Sequence, residues 1–204
     1  DIIHNNIDSI KMKCQPGDLI TRLNDDILSE FIKELAEKDK SYSHAGIIVK
    51  KGNETMVCHI FPNAPGADTV LYEPLDSFIN PLKNLSCGLF RYNINETEKQ
   101  SFLNQLNLYH QNNIHFDHIY DIKTDSVLYC SEMIAKALKI ATNNNIICEP
   151  IAIPKKMVPL MQAFFRKYKT TEGQVENTPF IPIENLYNKA YCTEIIRTKL
   201  KYMP

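Results

Sequence analysis

Apolar residues in the first quarter of the chain form one short run and one segment with helical spacing. The turn sequence Pro16-Gly17-Asp18 directly precedes the apolar pair Leu19-Ile20, so we expect a strand to begin there. Residues 25–38 place their apolar side chains three and four positions apart. That spacing predicts a helix over the whole segment.

Residues 45–61 have the pattern of a β-hairpin. Ala45 to Val49 is an apolar run rich in β-branched residues, Lys51-Gly52-Asn53 is a turn sequence, and Thr55 to Phe61 is a second run. After the hairpin the pattern predicts a loop at residues 61–67, a short strand running into a turn at residues 70–78, and another strand at residues 87–92.

Two segments in the second half of the chain are predicted to be helices. Residues 96–112 carry an apolar stripe, and Thr97 is the expected N-cap. Residues 131–141 carry a second stripe, which ends at the Asn-rich segment 142–145. This boundary places Cys130 at or just before the first turn of the second helix.

Composition and pattern together predict one globular domain of the α+β class over residues 1–204. The pattern loosens after residue 150, but neither a repeat nor a linker divides the chain. A domain of this length buries about 70% of the surface that its unfolded chain exposes, so its core needs no disulfide or metal to be stable. The 44% hydrophobic content is ordinary, and no run is long enough to span a bilayer.

Charge and cysteine spacing argue against one class of ligand and two classes of small stabilised fold. The formal net charge of −1 argues against nucleic acid as a ligand. The six cysteines are scattered without a CxxC pair, which argues against a zinc ribbon and a compact disulfide framework. Because the first residue is Asp1 rather than Met, we expect the sequence to start after a removed leader or within a longer chain.

Cys130 is the first candidate for chemistry. A thiol attacks as its thiolate, and a helix N-terminus with a neighbouring imidazole lowers the pKa of a thiol. The alternative is that Cys130 is a packing residue, because free cysteines are among the most buried residue types. Position alone does not decide between these two interpretations.

Two histidines on the predicted hairpin are the candidate base and its orienting residue. His44 directly precedes the first strand, and His59 lies on the returning strand, so the two rings are expected on paired or neighbouring strands. Three other histidines, at positions 110, 115 and 118, have spacings that match no zinc pattern. We therefore expect neither a metal nor another cofactor.

Six motifs carry a resemblance to a known family. They are "PGDLI" (16–20), "SHAGIIV" (43–49), "VCHIF" (57–61), "FDHIYD" (116–121), "LYCSEMI" (128–134) and "IPIENLYNKAYCTEI" (181–195). In this order they resemble the YiiX/YebB-like amidases, the circularly permuted branch of the NlpC/P60 papain-like superfamily. The resemblance implies a permuted papain-like fold, with a central antiparallel sheet or partial barrel packed against helices.

The resemblance also implies the catalytic roles. Cys130 would be the nucleophile, His44 the general base and acid, and His59 the polar residue that orients His44. Members of the group are expected to carry a carboxylate at the His59 position, so histidine here is a departure. A neutral histidine can still donate one hydrogen bond and accept another.

The substrate is less constrained than the chemistry. Cell-wall-cleaving members of the superfamily are expected to have Asp before the nucleophile, whereas this chain has Tyr129. The His/His/Cys set also resembles that of lecithin:retinol acyltransferase-like enzymes, which act on acyl lipids. Tyr129, Glu132, Asp117 and Asp121 are the candidate substrate-binding residues, although helix capping or a turn explains each carboxylate equally well.

We therefore expect a cysteine hydrolase that cleaves an amide bond of the cell-wall peptide or N-acyl amino-acid type through an acyl-enzyme. One alternative is an acyl-lipid amidase, thioesterase or acyltransferase. The other is a binding module without activity. The expected partner is accordingly a peptide, N-acyl amino acid or lipid-like substrate, and the resemblance favours a bacterial envelope or secreted location.

Overall fold

A computed structural model describes residues 2–62, 68–166, 175 and 178–200 of the chain. The helices in these ranges are α1 (Ile2–Lys13), α2 (Ile27–Lys33), α3 (Leu75–Phe78), α4 (Glu96–Gln111), α5 (Cys130–Ala141) and α6 (Val158–Arg166), with 3₁₀ turns at Lys155–Met157 and Ile183–Tyr187. The strands are β1 (Leu19–Asn24), β2 (His44–Lys51), β3 (Glu54–Ile60), β4 (Val70–Pro74), β5 (Asn84–Tyr92), β6 (His115–Phe116), β7 (Val127–Leu128), β8 (Ile151–Ala152), β9 (Pro179–Phe180) and β10 (Cys192–Lys199).

A six-stranded antiparallel sheet organises the molecule. Its strand order is β10-β5-β1-β2-β3-β4, and every neighbouring pair runs antiparallel. Two small pairs lie outside it, β6 with β7 in parallel and β8 with β9 antiparallel. The predicted α+β class with a central antiparallel sheet is confirmed.

Both faces of the sheet are covered. Leu19 faces a core that includes Ile134 of α5, whereas the next residue, Ile20, faces a second core formed with Ile10 of α1 and Phe78 of α3. Successive side chains of a strand point to opposite faces, so β1 contributes side chains to both cores. No helix among the described residues is long and apolar enough to cross a bilayer.

The helix predicted over residues 25–38 is too long. α2 ends at Lys33, and the chain then turns. The backbone N–H groups of residues 37–39 donate to the Glu184 carboxylate, with N···O distances of 2.6 to 3.2 Å. Because a distant side chain satisfies these donors, the backbone here needs no helical hydrogen bonds. Sequence spacing could not reveal an acceptor that lies so far along the chain.

Other elements also differ from the sequence pattern. β4 ends at Pro74, which lacks an N–H for the ladder, and the short helix α3 takes the place of the turn predicted at the end of segment 70–78. The N-cap of α4 is Asn95 rather than Thr97, since Asn95 and Glu98 exchange side-chain-to-backbone hydrogen bonds. α1 and β10 are not among the predicted elements, and residues 63–67 of the predicted loop lie outside the described residues.

Candidate active site

Cys130 is the first residue of α5 and is almost fully buried, with 9% of its surface exposed. Three backbone N–H groups interact with its sulfur, those of Ala45, Cys130 and Ser131. Two of them belong to the open first turn of the helix, where N–H groups have no helical partner. The third belongs to β2, so the thiol lies where the helix meets the sheet.

His44 and His59 are in direct contact. His44 begins β2 and His59 lies near the end of β3, and the His44 Nε2 atom is 2.9 Å from the His59 Nδ1 atom. Both side chains are almost completely buried. Gly46 permits this approach, because a Cβ atom there would lie 2.4 Å from a Val57 methyl group and 3.1 Å from the His59 Cβ atom.

The chain of polar contacts continues to Glu73 of β4. The His59 Nε2 atom lies 3.1 Å from Glu73 Oε2, a close but bent contact. Arg22 of β1 lies on the other side of this carboxylate, with a guanidinium nitrogen 3.4 Å from Oε2 and 3.1 Å from the Phe78 carbonyl oxygen. Although burial opposes ionisation, the His59 contact and the Arg22 charge hold the pKa of Glu73 at about 2.

Aromatic rings enclose the two imidazoles. The His44 ring meets Phe61 edge-on at 5.3 Å and lies 5.8 Å from Phe78 between ring centres. Phe78 also meets His59 at 5.3 Å, and the Arg22 guanidinium lies 4.1 Å above the same ring. These contacts restrict the orientations open to both imidazoles.

Burial favours the neutral forms of both Cys130 and His44. Burial raises the pKa of the Cys130 thiol to about 11, although the surrounding N–H groups and Arg22 oppose the shift. Burial, together with the Arg22 charge and His59, holds the pKa of His44 well below its ordinary value. Both shifts favour a neutral thiol and a neutral imidazole over a thiolate–imidazolium pair.

A narrow apolar cleft opens at the thiol. It contains about 740 Å³ of space, including its open mouth. Cys130 and His44 are on its wall, and the described residues that line it include no Asp, Glu, Lys or Arg. The remaining lining residues are Leu28, Ser29, Ile32, Leu35, Ala36, Tyr42, Ser43, Phe61, Pro62, Phe116, Tyr120, Tyr129, Ser131, Phe164, Phe180, Ile181, Pro182 and Ile183.

Tyr129 and Ser131, on either side of the thiol, both bind the backbone of Ile181. The Ile181 N–H donates to the Tyr129 hydroxyl at 2.7 Å, and the Ser131 hydroxyl donates to the Ile181 carbonyl at 2.6 Å. This two-point contact, the Ile181 clamp, fixes one wall of the cleft against the start of α5. Tyr129 thus lies at the cleft, and its hydroxyl is already hydrogen-bonded within the protein.

The three carboxylates considered for substrate binding are not among the described residues that line the cleft. Glu132 is fully buried, accepts from the Tyr129 N–H and lies 2.8 Å from the Lys136 nitrogen. Asp117 accepts from the N–H groups of Ile119 and Asp121. It thereby shapes the loop that leads to Tyr120, a cleft residue with φ of 56°. The Asp121 carboxylate accepts from the next turn, at Lys123.

The other three histidines of the second half lie elsewhere. His110 is hydrogen-bonded to the Val70 carbonyl oxygen, and His115 and His118 both approach Asp68. Within the described ranges, no three His, Cys, Asp or Glu side chains are grouped as metal ligands.

Sequence reasoning missed Glu73 and Arg22. Both lie on the same face of the sheet as the histidines, since Arg22 pairs with His44, and Val57, two residues before His59, pairs with Glu73. Alternation along β4 would have placed Glu73 on that face once its register with β3 was known. That register is a long-range property, so the sequence pattern offered no local signal for the contact.

Comparison with known proteins gives one family and a similar fold. Residues 13–174 match the family described as permuted papain-like amidase enzyme, YaeF/YiiX, C92 family. The fold is similar to the crystal structure of the metalloprotein yiiX from Escherichia coli O157:H7, with a TM-score of 0.70 and 18% sequence identity over 90% of this chain and 97% of that one. No curated protein matches significantly.

The family match covers most of the chain and includes the strands and helix that carry Cys130, His44 and His59. The fold comparison agrees with it, because the structure that resembles this one bears a name of the same family. The antiparallel sheet with a cysteine-led helix against it is the permuted papain-like fold, and the chain belongs to the YaeF/YiiX family of permuted papain-like amidases.

Proposed function

We propose that the protein is a cysteine-dependent amidase in which Cys130 is the nucleophile, His44 the general base and acid, and His59 the residue that orients His44. The observation that carries this proposal is that one cleft is lined by both Cys130 and the hydrogen-bonded His44. A buried thiol is surrounded by backbone N–H groups at a helix N-terminus, and the same cleft wall holds a histidine bound to a second histidine.

The proposed reaction begins from the neutral pair. Because the Nε2 atom of His44 is bound to His59, Nδ1 is the nitrogen left to take the proton of the Cys130 thiol. The sulfur then attacks the amide carbonyl carbon, and the negative oxygen is stabilised by N–H groups at the start of α5. When the C–N bond breaks, His44 returns the proton to the leaving amine.

Water completes the cycle. His44, neutral again, takes a proton from a water molecule that attacks the thioester carbonyl carbon, and the C–S bond breaks. The products are a free carboxylic acid, the released amine and the regenerated thiol. When the thiol and the imidazole are both neutral at rest, the proton must move during the attack. His59 and the rings around it then have a direct role, because they keep His44 aligned with the thiol.

The cleft supports an amide with an apolar acyl group as substrate. Its described walls are mostly aliphatic and aromatic, and Phe61, Phe116 and Phe164 are among the lining residues. Apolar walls stabilise a hydrocarbon chain and offer nothing to a charged one. N-acyl amino acids and lipid amides fit this chemistry better than cell-wall peptides, which carry several carboxylates.

A second candidate function shares the same acyl-enzyme. The apolar wall would contact the acyl part of a substrate whatever its leaving group, so an ester or thioester donor, or transfer of the acyl group to an amine or alcohol, fits the same observation. The two functions differ in the leaving group or acceptor, which the substrate panel below varies directly.

The test is turnover of a defined panel by purified protein. The panel holds N-acetyl-, N-octanoyl- and N-palmitoylglycine, octanoyl thioester with and without an added amine, and an acidic murein tetrapeptide. We expect Cys130-dependent release of the free acid, with kcat/KM rising with acyl length. Cys14→Ala, which changes a cysteine away from the cleft, is the matched control for Cys130→Ala.

Each other outcome contradicts a part of the proposal. Preference for the tetrapeptide would reject the acyl substrate class, and preference for thioester with amine would favour transfer over hydrolysis. Equal activity of wild type and Cys130→Ala, or binding of an acylglycine without any turnover, would reject catalysis by Cys130 and favour a binding module.

A further inference from the structure

We infer that Glu73 is a positioning residue for the proposed amidase, because its carboxylate, paired with Arg22, fixes the tautomers of His59 and His44 so that the Nδ1 atom of His44, the proposed base for Cys130, is unprotonated. The inference rests on the proposed function. It adds a fourth and a fifth residue to the Cys130–His44–His59 set, and neither is in contact with the cleft.

The placement of these residues follows from the sheet. Arg22, His44, His59 and Glu73 lie on β1, β2, β3 and β4, which are consecutive neighbours in the sheet. Arg22 is directly opposite His44 in the register. The side chains of all four residues lie on one face of the sheet, so four neighbouring strands hold them in a row at fixed spacing. Because each residue of the row is held on a strand, the position of one side chain fixes the orientation of the next.

The tautomer argument follows from donor and acceptor chemistry. An ionised carboxylate only accepts hydrogen bonds, so the His59 nitrogen nearest Glu73 must carry its proton. Neutral His59 then presents a lone pair at Nδ1, which requires a proton on the Nε2 atom of His44. Neutral His44 is left with its lone pair on Nδ1, the nitrogen that can receive the thiol proton.

The opposite placement of the protons shows why the carboxylate matters. If His59 carried its proton on Nδ1 instead, it would donate to His44, and the proton of neutral His44 would move to Nδ1. That nitrogen would then be a donor and could not act as the base toward Cys130. Loss of the correct histidine tautomer is the accepted reason why amidation of the triad aspartate of a serine protease reduces kcat by about four orders of magnitude.

The surrounding charges keep Glu73 in the form that this role needs. Arg22 is the nearby cation, and its side chain is buried against Phe78 with the guanidinium 4.1 Å above the ring. From α3, the Ser77 side chain is hydrogen-bonded to Glu73. The thiols that face the row are neutral, because burial raises the pKa of Cys87 on β5 to about 12 and that of Cys130 on α5 to about 11. Glu73 is thus the carboxylate that balances Arg22 beside the imidazoles.

The experiment measures the tautomers directly. Imidazole ¹⁵N chemical shifts of His44 and His59 are recorded for wild type, Glu73→Gln, Glu73→Asp and the control Glu54→Gln, which makes the same change at an exposed position on β3. In parallel, kcat and KM for N-octanoylglycine are measured across pH. A role limited to stability would change the melting temperature without moving the ¹⁵N shifts.

In wild type we expect a protonated Nε2 and an unprotonated Nδ1 on both rings. Glu73→Gln should add the opposite tautomer and lower kcat at least about tenfold with little change in KM, while Glu73→Asp restores the wild-type tautomer. Glu54→Gln should match wild type. A Glu73→Gln protein with wild-type shifts and kcat, or a wild-type protein with protonated Nδ1 on His44, overturns the inference.

The two proposals fail separately. If Cys130→Ala retains full turnover, the proposed function is wrong whatever the tautomers are. If Cys130 is required but the histidine tautomers are the same in Glu73→Gln as in wild type, only the positioning role is wrong. Should Glu73→Gln fail to fold, the ¹⁵N shifts of wild type and Glu73→Asp still decide the inference, because a protonated Nδ1 on His44 in either protein contradicts it.

Discussion

The Ile181 clamp makes a quantitative prediction for Tyr129→Phe. The Tyr129 ring is 1% exposed, and its hydroxyl accepts the Ile181 N–H at 2.7 Å. Phenylalanine keeps the ring packing and removes only the acceptor. The buried Ile181 N–H then loses its partner, which costs about 1–3 kcal/mol of unfolding free energy.

The assay is urea denaturation at equilibrium. With an m-value of about 2 kcal/mol/M, a loss of about 2 kcal/mol lowers the midpoint of unfolding by about 1 M with m unchanged. Because the Ser131 hydroxyl binds the same Ile181 backbone, Tyr129→Phe and Ser131→Ala should also be non-additive. A cycle of single and double variants measures that coupling.

Tyr92→Phe is the matched control. Tyr92 is 4% exposed, and among the described residues its hydroxyl has no hydrogen-bond partner. Removing an unpaired buried hydroxyl should leave stability unchanged or raise it slightly. Equal midpoints for the Tyr129 and Tyr92 variants would refute the clamp as a source of stability.

Three further predictions follow from individual groups. Gly46→Ala should lower stability by about 1–3 kcal/mol and reduce kcat, because the added methyl overlaps Val57 and displaces His59; wild-type values in melting and turnover assays would contradict the close packing. Burial raises the pKa of Glu132 to about 8, so the contribution of Glu132 to the unfolding free energy, measured as the difference between wild type and Glu132→Gln, should fall as pH rises from about 4.5 to about 8. A difference that stays constant over this range would contradict the shift. Iodoacetamide labelling of Cys130 should rise about tenfold per pH unit from pH 7 to 9, since its thiol is protonated at rest; a plateau from pH 5 upward would indicate a thiolate–imidazolium pair.

The fold class and the strand pairs near the site follow from local sequence. The run Ala45–Val49, the turn at Gly52 and the return to Phe61 predict β2 and β3, and the stripe after Cys130 predicts α5. These elements are amphipathic, or rich in β-branched residues, over short and continuous stretches. Local patterns therefore suffice to place Cys130 at a helix start and both histidines on one hairpin.

What local sequence could not predict depends on contacts between distant residues. The end of α2 depends on Glu184, well over a hundred residues away along the chain. The Glu73 contact with His59 depends on the register between β3 and β4, across a loop. The cleft is formed by α2, α6 and the segment after β9, whose relative positions no periodicity encodes. Substrate class was accordingly the least determined part of the sequence-based prediction.

The apolar cleft also changes the relative merit of the substrate hypotheses. From sequence, a cell-wall peptide and an acyl amide were close alternatives, with Tyr129 in place of Asp as the main distinction. The described lining residues carry no charged side chain, and Phe164 of α6 joins Phe61 at the cleft. Both observations favour the acyl amide.

The most direct measurement of the central claim is the site of acylation. Wild type and Cys130→Ala are mixed with p-nitrophenyl octanoate, quenched in acid during turnover and digested for mass spectrometry. The account predicts an octanoyl group on the peptide that contains Cys130 in wild type and none in the variant. An octanoyl group on another residue, or wild-type turnover by Cys130→Ala, would contradict it.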